Sequence, residues 1–154
     1  MLREMRKKER SINISEAMEI LNEGQYGVLS VITNEGYPYG VPINYVYMDN
    51  CIYFHCAIEG YKLDSIKLNN NVSFSVVGKT ELLPNKFSIK YESVIIFGKA
   101  FEVFDEEKIT ALSSLLDKYS KEYKEAGAKH VKGSGNRTKV IRIDIEHISG
   151  KARK

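Results

Sequence analysis

The stretch of this chain best equipped for chemistry is Phe54-His55-Cys56-Ala57-Ile58-Glu59-Gly60-Tyr61-Lys62. An apolar strand ends there in small and polar residues, a glycine follows, and a lysine stands at the start of a helix. Such a turn offers backbone N–H groups to an anion. The helix dipole favours negative charge at that point, and Lys62 adds a full positive charge. Phosphate is the obvious guest. His55 has two readings: its imidazole can donate or accept toward a ligand near neutral pH, or it can simply bond a backbone carbonyl. His130 and His147 have no partner visible in the sequence and read as surface residues.

Cys51 and Cys56 are the only cysteines. They fall in one expected strand at an odd separation, on opposite faces and roughly 16 Å apart. They cannot bridge each other there. Two isolated thiols make no zinc site, so no metal is expected.

The elements that must position the elbow follow from patterning. Ser11 to Asn22 reads as a short helix, with Ser15 or Asn13 as its cap, ending at Gly24; Asn13 and Glu16 have capping-box spacing. Tyr26 to Thr33 is a strand turned by Asn34-Glu35-Gly36. Tyr37 to Met48 reads as one longer strand, and Asp49-Asn50 turns it into a third, Cys51 to Cys56. Pro42 cannot donate to a ladder, so it marks a bulge, an edge, or a place where a flat ligand lies alongside.

Gly60 to Asn69 supplies the elbow's helix, and Val72 to Val77 alternates as a fourth strand. Thr80 to Tyr91 reads as a loop, and Ser93 to Phe104 as a fifth strand. Asp105 opens an amphipathic helix with Ile109, Leu112, Leu115, Leu116 and Tyr119 on one face. Lys121 to Lys132 is a polar, second helical piece broken by Gly133-Ser134-Gly135-Asn136. Thr138 to His147 is the last strand. The sum is a mainly β (α+β) fold: a six-stranded antiparallel barrel with short helices at its rim. No GxGxxG fingerprint or Walker A sequence is present.

The 154 residues suit one domain spanning 1–154. Hydrophobic residues make up 43% and charged residues 28%, which excludes a globally disordered chain. No apolar run approaches the roughly 20 residues that cross a bilayer. MLREMRKKER is charged but is followed by no apolar region, so a cytoplasmic protein without a membrane partner is expected. Net charge is only +3, with basic clusters at Arg3 to Arg10 and Lys151 to Lys154. Residues 1–10 read as a flexible basic terminus. Such clusters hold nucleic acid or are solvated ends; between them the charges nearly balance, and nucleic acid is not an expected partner.

Several segments in order carry a family resemblance: Tyr26-Gly-Val-Leu-Ser30, Gly36-Tyr-Pro-Tyr-Gly-Val-Pro-Ile-Asn-Tyr45, Ile52-Tyr-Phe-His-Cys-Ala57, Gly60-Tyr-Lys62 and Val72-Ser-Phe-Ser-Val-Val-Gly78. Tyr91-Glu-Ser-Val-Ile-Ile-Phe-Gly98 and Val140 to Arg153 continue it. Together they resemble the pyridoxamine 5′-phosphate oxidase-like split-barrel family, in the branch containing nitroimidazole-resistance (Nim) proteins.

The resemblance implies a homodimeric split barrel that binds FMN in clefts between subunits. Carried onto this chain, Val41, Pro42, Ile43 and Asn44 run beside the isoalloxazine ring, while His55, Cys56 and Ala57 line the ribityl-phosphate path. Lys62 contacts the phosphate, and Ser93 adds a polar contact from the other subunit. His55 is the expected catalytic residue toward a small-molecule substrate at the flavin. The chain departs from the true oxidases, which carry arginine and lysine where Tyr39 and Asn44 stand, and an arginine–lysine pair where Tyr61 and Lys62 stand. Vitamin B6 oxidation is therefore not the expected reaction. An FMN-dependent reduction of a small nitroaromatic is. The alternative is a split barrel that binds flavin or haem without turnover, with His55 as an iron ligand.

Overall fold

Two residues, Asn44 and Tyr45, decide the shape of this molecule. In the computed structural model, which describes residues 2–154, an eight-stranded antiparallel sheet carries four α-helices. The strands are β1 (Ser11–Ile12), β2 (Gly27–Ile32), β3 (Pro38–Ile43), β4 (Val46–Met48), β5 (Cys51–Cys56), β6 (Asn71–Leu83), β7 (Ser88–Val103) and β8 (Lys139–Arg153). The helices are α1 (Ile14–Glu23), α2 (Tyr61–Leu68), α3 (Asp105–Tyr119) and α4 (Lys124–Ser134). Spatial order is β3-β2-β6-β7-β8-β5-β4, with β1 paired to β8. The sheet's two edges, β3 and β4, are thus consecutive in sequence. Consecutive Cα atoms lie only about 3.8 Å apart, so the sheet must curl until its edges approach. Among the described residues no ladder joins β3 to β4, and the barrel stays open along that seam.

The expectation of six strands is corrected at this seam, because Tyr37 to Met48 is not one strand but two. Tyr45 is fully buried. Its ring meets Phe74 edge-on at 5.0 Å, and its hydroxyl donates to the Leu21 carbonyl at 2.5 Å. Turning that side chain inward takes its backbone out of the sheet. A buried peptide group needs partners, and α3 supplies them. The Tyr45 N–H donates to the Tyr119 hydroxyl at 3.0 Å, and its carbonyl accepts from Lys118 Nζ at 2.9 Å. Pro42 lies on an edge strand, paired only to β2, where a proline is tolerated.

Two further expectations are corrected. Ser11 and Ile12 form β1 rather than the start of the helix, whose cap is Asn13: its Oδ1 accepts the Glu16 N–H at 2.8 Å. Thr80 to Tyr91 is not a loop. It is the far end of the β6–β7 hairpin, paired from Thr80↔Tyr91 to Leu83↔Ser88. Backbone pairing holds this arm, not burial; Leu82 is 74% and Phe87 97% exposed, so no inside–outside alternation marks it. The Asp49-Asn50 turn is as expected, with φ of 52° and 59°. The polar segment after α3 does form a helix, running through Gly133 to Ser134.

The main core joins Leu29, Ile52, Phe54, Phe74, Val94 and Ile143 of the sheet to Leu21 of α1 and Ile66 of α2. A second cluster packs Ala111, Leu112 and Leu115 of α3 on Tyr53, Val103 and Val140. Gly98 is required where β7 and β8 slip register. A Cβ there would lie 2.1 Å from the Asp144 carbonyl oxygen.

Candidate functional site

The seam leaves part of β5 without a neighbour. In the β4–β5 hairpin Val46 pairs with Tyr53, and that register continued would set Asn44 opposite His55. β4 has ended by then. Phe54, His55 and Cys56 keep β8 on one side, with His55 beside Val140 and Cys56 beside Lys139. On the other side a cleft of about 240 Å³ opens, rimmed by Asn44, His55, Tyr119, Ser120, His130 and Thr138. Its floor is Leu112, Leu115, Leu116 and Val131. His55 stays open to solvent on one side. Loss of hydration in the cleft, with a smaller push from the His130 charge, holds its pKa below the ordinary imidazole value. At neutral pH its ring is therefore mainly uncharged, able to donate from one nitrogen and accept at the other.

The second part of the site is the elbow. Gly60, at φ 156° and exposed, precedes α2, and no side chain caps that helix. The first intrahelical bond runs from the Asp64 N–H to the Gly60 carbonyl at 3.1 Å. The N–H groups ahead of it are open to an acceptor. Lys62, half-buried, stands in this first turn. Burial raises the Cys56 pKa, while the Lys62 and Lys139 charges pull it the other way. Lys139 is also paired to Glu102 at 3.5 Å.

α2 is tied to β3 at its first residue. The Tyr61 hydroxyl meets Glu35 Oε2 at 2.5 Å, and its ring lies 5.1 Å from Tyr39. Of the expected residues, Asn44 and His55 line one cleft; Val41, Pro42 and Ile43 lie on edge strand β3, Cys56 and Ala57 at and just after the end of β5, and Lys62 in the first turn of α2. Ser93 is not among them. It lies on β7 in a separate groove with Ile95, Phe97 and His147. Among the described residues no group of three or more His, Cys, Asp or Glu could hold a metal. Among the described residues no helix is long and apolar enough to cross a membrane.

Reading the sequence missed three residues of this region. Tyr119 was visible only as one of an apolar helix face, yet its hydroxyl holds the backbone at the seam, accepting the Tyr45 N–H and donating to the Gln25 carbonyl. Lys118 carried no signal, although burial pulls its pKa down to about 8 and its ammonium sits 3.8 Å from the Tyr45 ring centre. His130 is exposed, as expected of a surface residue, but nothing in the sequence marks that α4 folds back on α3 and sets it at the rim of the cleft. Where the helices meet, a Cβ on Gly127 would lie 2.7 Å from Leu116 Cδ2.

An antiparallel sheet split at a β3–β4 seam, with helices at the rim, defines an α+β split-barrel protein. The chain belongs to the pyridoxamine 5′-phosphate oxidase family, whose sequence model matches residues 13–152. Among solved structures it is similar to a proposed 5-nitroimidazole antibiotic resistance protein from Bacteroides thetaiotaomicron. That likeness has a TM-score of 0.75 at 26% identity, over 92% of this chain and 86% of the other. An FAD-binding protein from Mesorhizobium loti shares the fold at TM-score 0.65 and 24% identity, over 94% and 98% of the two chains. An FAD- and heme-binding protein from Mycobacterium smegmatis shares it at TM-score 0.74 and 17% identity, over 96% and 74%. No curated protein matches this chain.

Proposed function

We propose that this protein binds FMN along the β3–β5 seam and reduces a small nitroaromatic or similar molecule there. The observation that carries the reading is the uncapped start of α2, with Lys62 in its first turn, beside the free edge of β3. That arrangement fits a flavin phosphate and an extended ring system together. The first-turn N–H groups and Lys62 bind the phosphate. Backbone groups of Val41, Pro42, Ile43 and Asn44 border the ring, and His55, Cys56 and Ala57 flank the chain between ring and phosphate. FMN, when bound, supplies the electron transfer. The protein's part is to hold it, shield it, and orient a substrate against His55, whose uncharged imidazole can hand over or take a proton.

The related nitroimidazole-resistance structure favours nitro compounds as the substrate class. We further infer a homodimer. Ser93 lies in a groove of about 1140 Å³ with Ile95 and Phe97, which are 42% and 40% exposed on the outer face of β7. A second copy seated there would cover them and bring Ser93 to the partner's flavin. The visible spectrum of the purified protein separates this reading from a haem protein.

Lys62→Ala then tests the geometry. One charge-assisted hydrogen bond contributes about 1.5–3 kcal/mol, so FMN affinity should fall roughly 10- to 150-fold. Riboflavin, which lacks the phosphate, should bind the variant and the wild type alike. Equal weakening of both flavins would remove Lys62 from the phosphate site.

A further inference from the structure

The cleft between β5, α3 and α4 has a chemical bias of its own. Its rim carries an amide, two imidazoles and three hydroxyls, and no carboxylate. Tyr119 is already committed, accepting the Tyr45 N–H and donating to the Gln25 or Tyr45 carbonyl. Asn44, His55, His130, Ser120 and Thr138 supply the other polar groups around one opening. Below them the floor is wholly aliphatic. At about 240 Å³ the space falls short of what drug-sized ligands occupy, so the guest is small. His55 and His130 line the same small cleft, so a guest seated in it can reach both imidazoles.

We propose that this cleft seats the polar end of a small aromatic molecule through a planar two-oxygen acceptor group, a nitro or a carboxylate. His130 is then a positioning residue, donating beside His55 while the ring rests on Leu112, Leu115 and Val131. The proposal deepens the reading above by naming the recognised group, and it rests on that reading for the reaction. An acidic rim would repel both acceptor groups; this rim repels neither. Donors on two independent elements, β5 and α4, also fix the plane of the acceptor, which one imidazole cannot do.

The test uses the full chain and three probes of similar size: nitrobenzene, benzoate and toluene. Binding is followed through the imidazole C–H resonances of His55 and His130, so the readout stands whether or not flavin is present. Nitrobenzene and benzoate should move both sets of resonances, and benzoate alone should raise the apparent pKa of His55, which distinguishes the charged acceptor from the neutral one. His130→Ala should weaken benzoate about tenfold and nitrobenzene a few-fold, leaving toluene unchanged. His130→Gln should restore part of the nitrobenzene affinity.

Equal weakening of all three probes, or resonances that respond to none of them, would overturn the proposal. Flavin affinity measured in the same variants keeps the two readings apart. A protein that binds the acceptor probes but no FMN refutes the function proposed above and not this cleft.

Discussion

Tyr119→Phe removes one oxygen atom and tests the account of the open seam. Tyr45 is fully buried, and its N–H has the Tyr119 hydroxyl as its partner at 3.0 Å. Without that oxygen the donor is stranded away from water, a loss of about 1–3 kcal/mol. The Tyr45 carbonyl keeps Lys118 at 2.9 Å, and Gln25 is exposed and can turn to solvent, so neither adds to the cost. For a chain of this size the melting temperature should fall by roughly 2–12 °C. Urea unfolding at constant m-value measures it.

Lys118→Met removes the other clamp and should be milder near neutral pH, since Tyr119 can still donate to the Tyr45 carbonyl at 2.9 Å and a desolvated ammonium disappears. Its signature is pH dependence. Lys118 has its pKa lowered from 10.5 to about 8 in the fold, so between those values the unfolded chain binds more protons. Wild-type stability should therefore gain on that of Lys118→Met as pH rises from 8 toward 10.5, and lose that gain as pH falls back to 8. The double variant strands both backbone groups and should lose more than the sum of the single changes. A Tyr119→Phe protein within about 0.5 kcal/mol of wild type, or a double variant that is merely additive, would refute this account of the seam.

His55→Ala should retain FMN while nitroaromatic turnover at saturating flavin falls about 10²–10⁴-fold, the range of general acid–base help; full activity would remove His55 from the mechanism. Sedimentation at micromolar concentration should show a dimer that Phe97→Glu converts to monomer, because a buried unpaired carboxylate is strongly disfavoured. A wild-type monomer that still binds FMN would refute the assembly.

Period and punctuation made much of this protein legible from its residues. Strands β2 and β5, and β8 as far as His147, announce themselves through runs in which burial alternates or is continuous; that β8 runs on to Arg153 was not expected from its pattern. Asn13 with Glu16 marks the cap of α1, and Asp49-Asn50 marks a tight turn whose positive φ values the structure shows. The elbow from Phe54 to Lys62 is local too: a strand end, a glycine and a first-turn lysine lie within nine residues, and the fold leaves that order intact.

What the sequence left open depended on contacts between distant residues. Tyr37 to Met48 has a uniform β pattern, and only the pull of Phe74 and the Leu21 carbonyl on Tyr45, with Lys118 and Tyr119 waiting for its backbone, breaks it in two. The hairpin arm from Thr80 to Tyr91 is held by cross-strand backbone bonds that leave Leu82 and Phe87 in solvent, so side-chain patterning carries no trace of it. His130 shares a cleft with His55 because α4 folds back on α3, some 75 residues after the histidine it meets. Spacing along a chain reports periodic burial within one element; which elements then face each other is settled by packing, and packing alone brought the two imidazoles to one cleft.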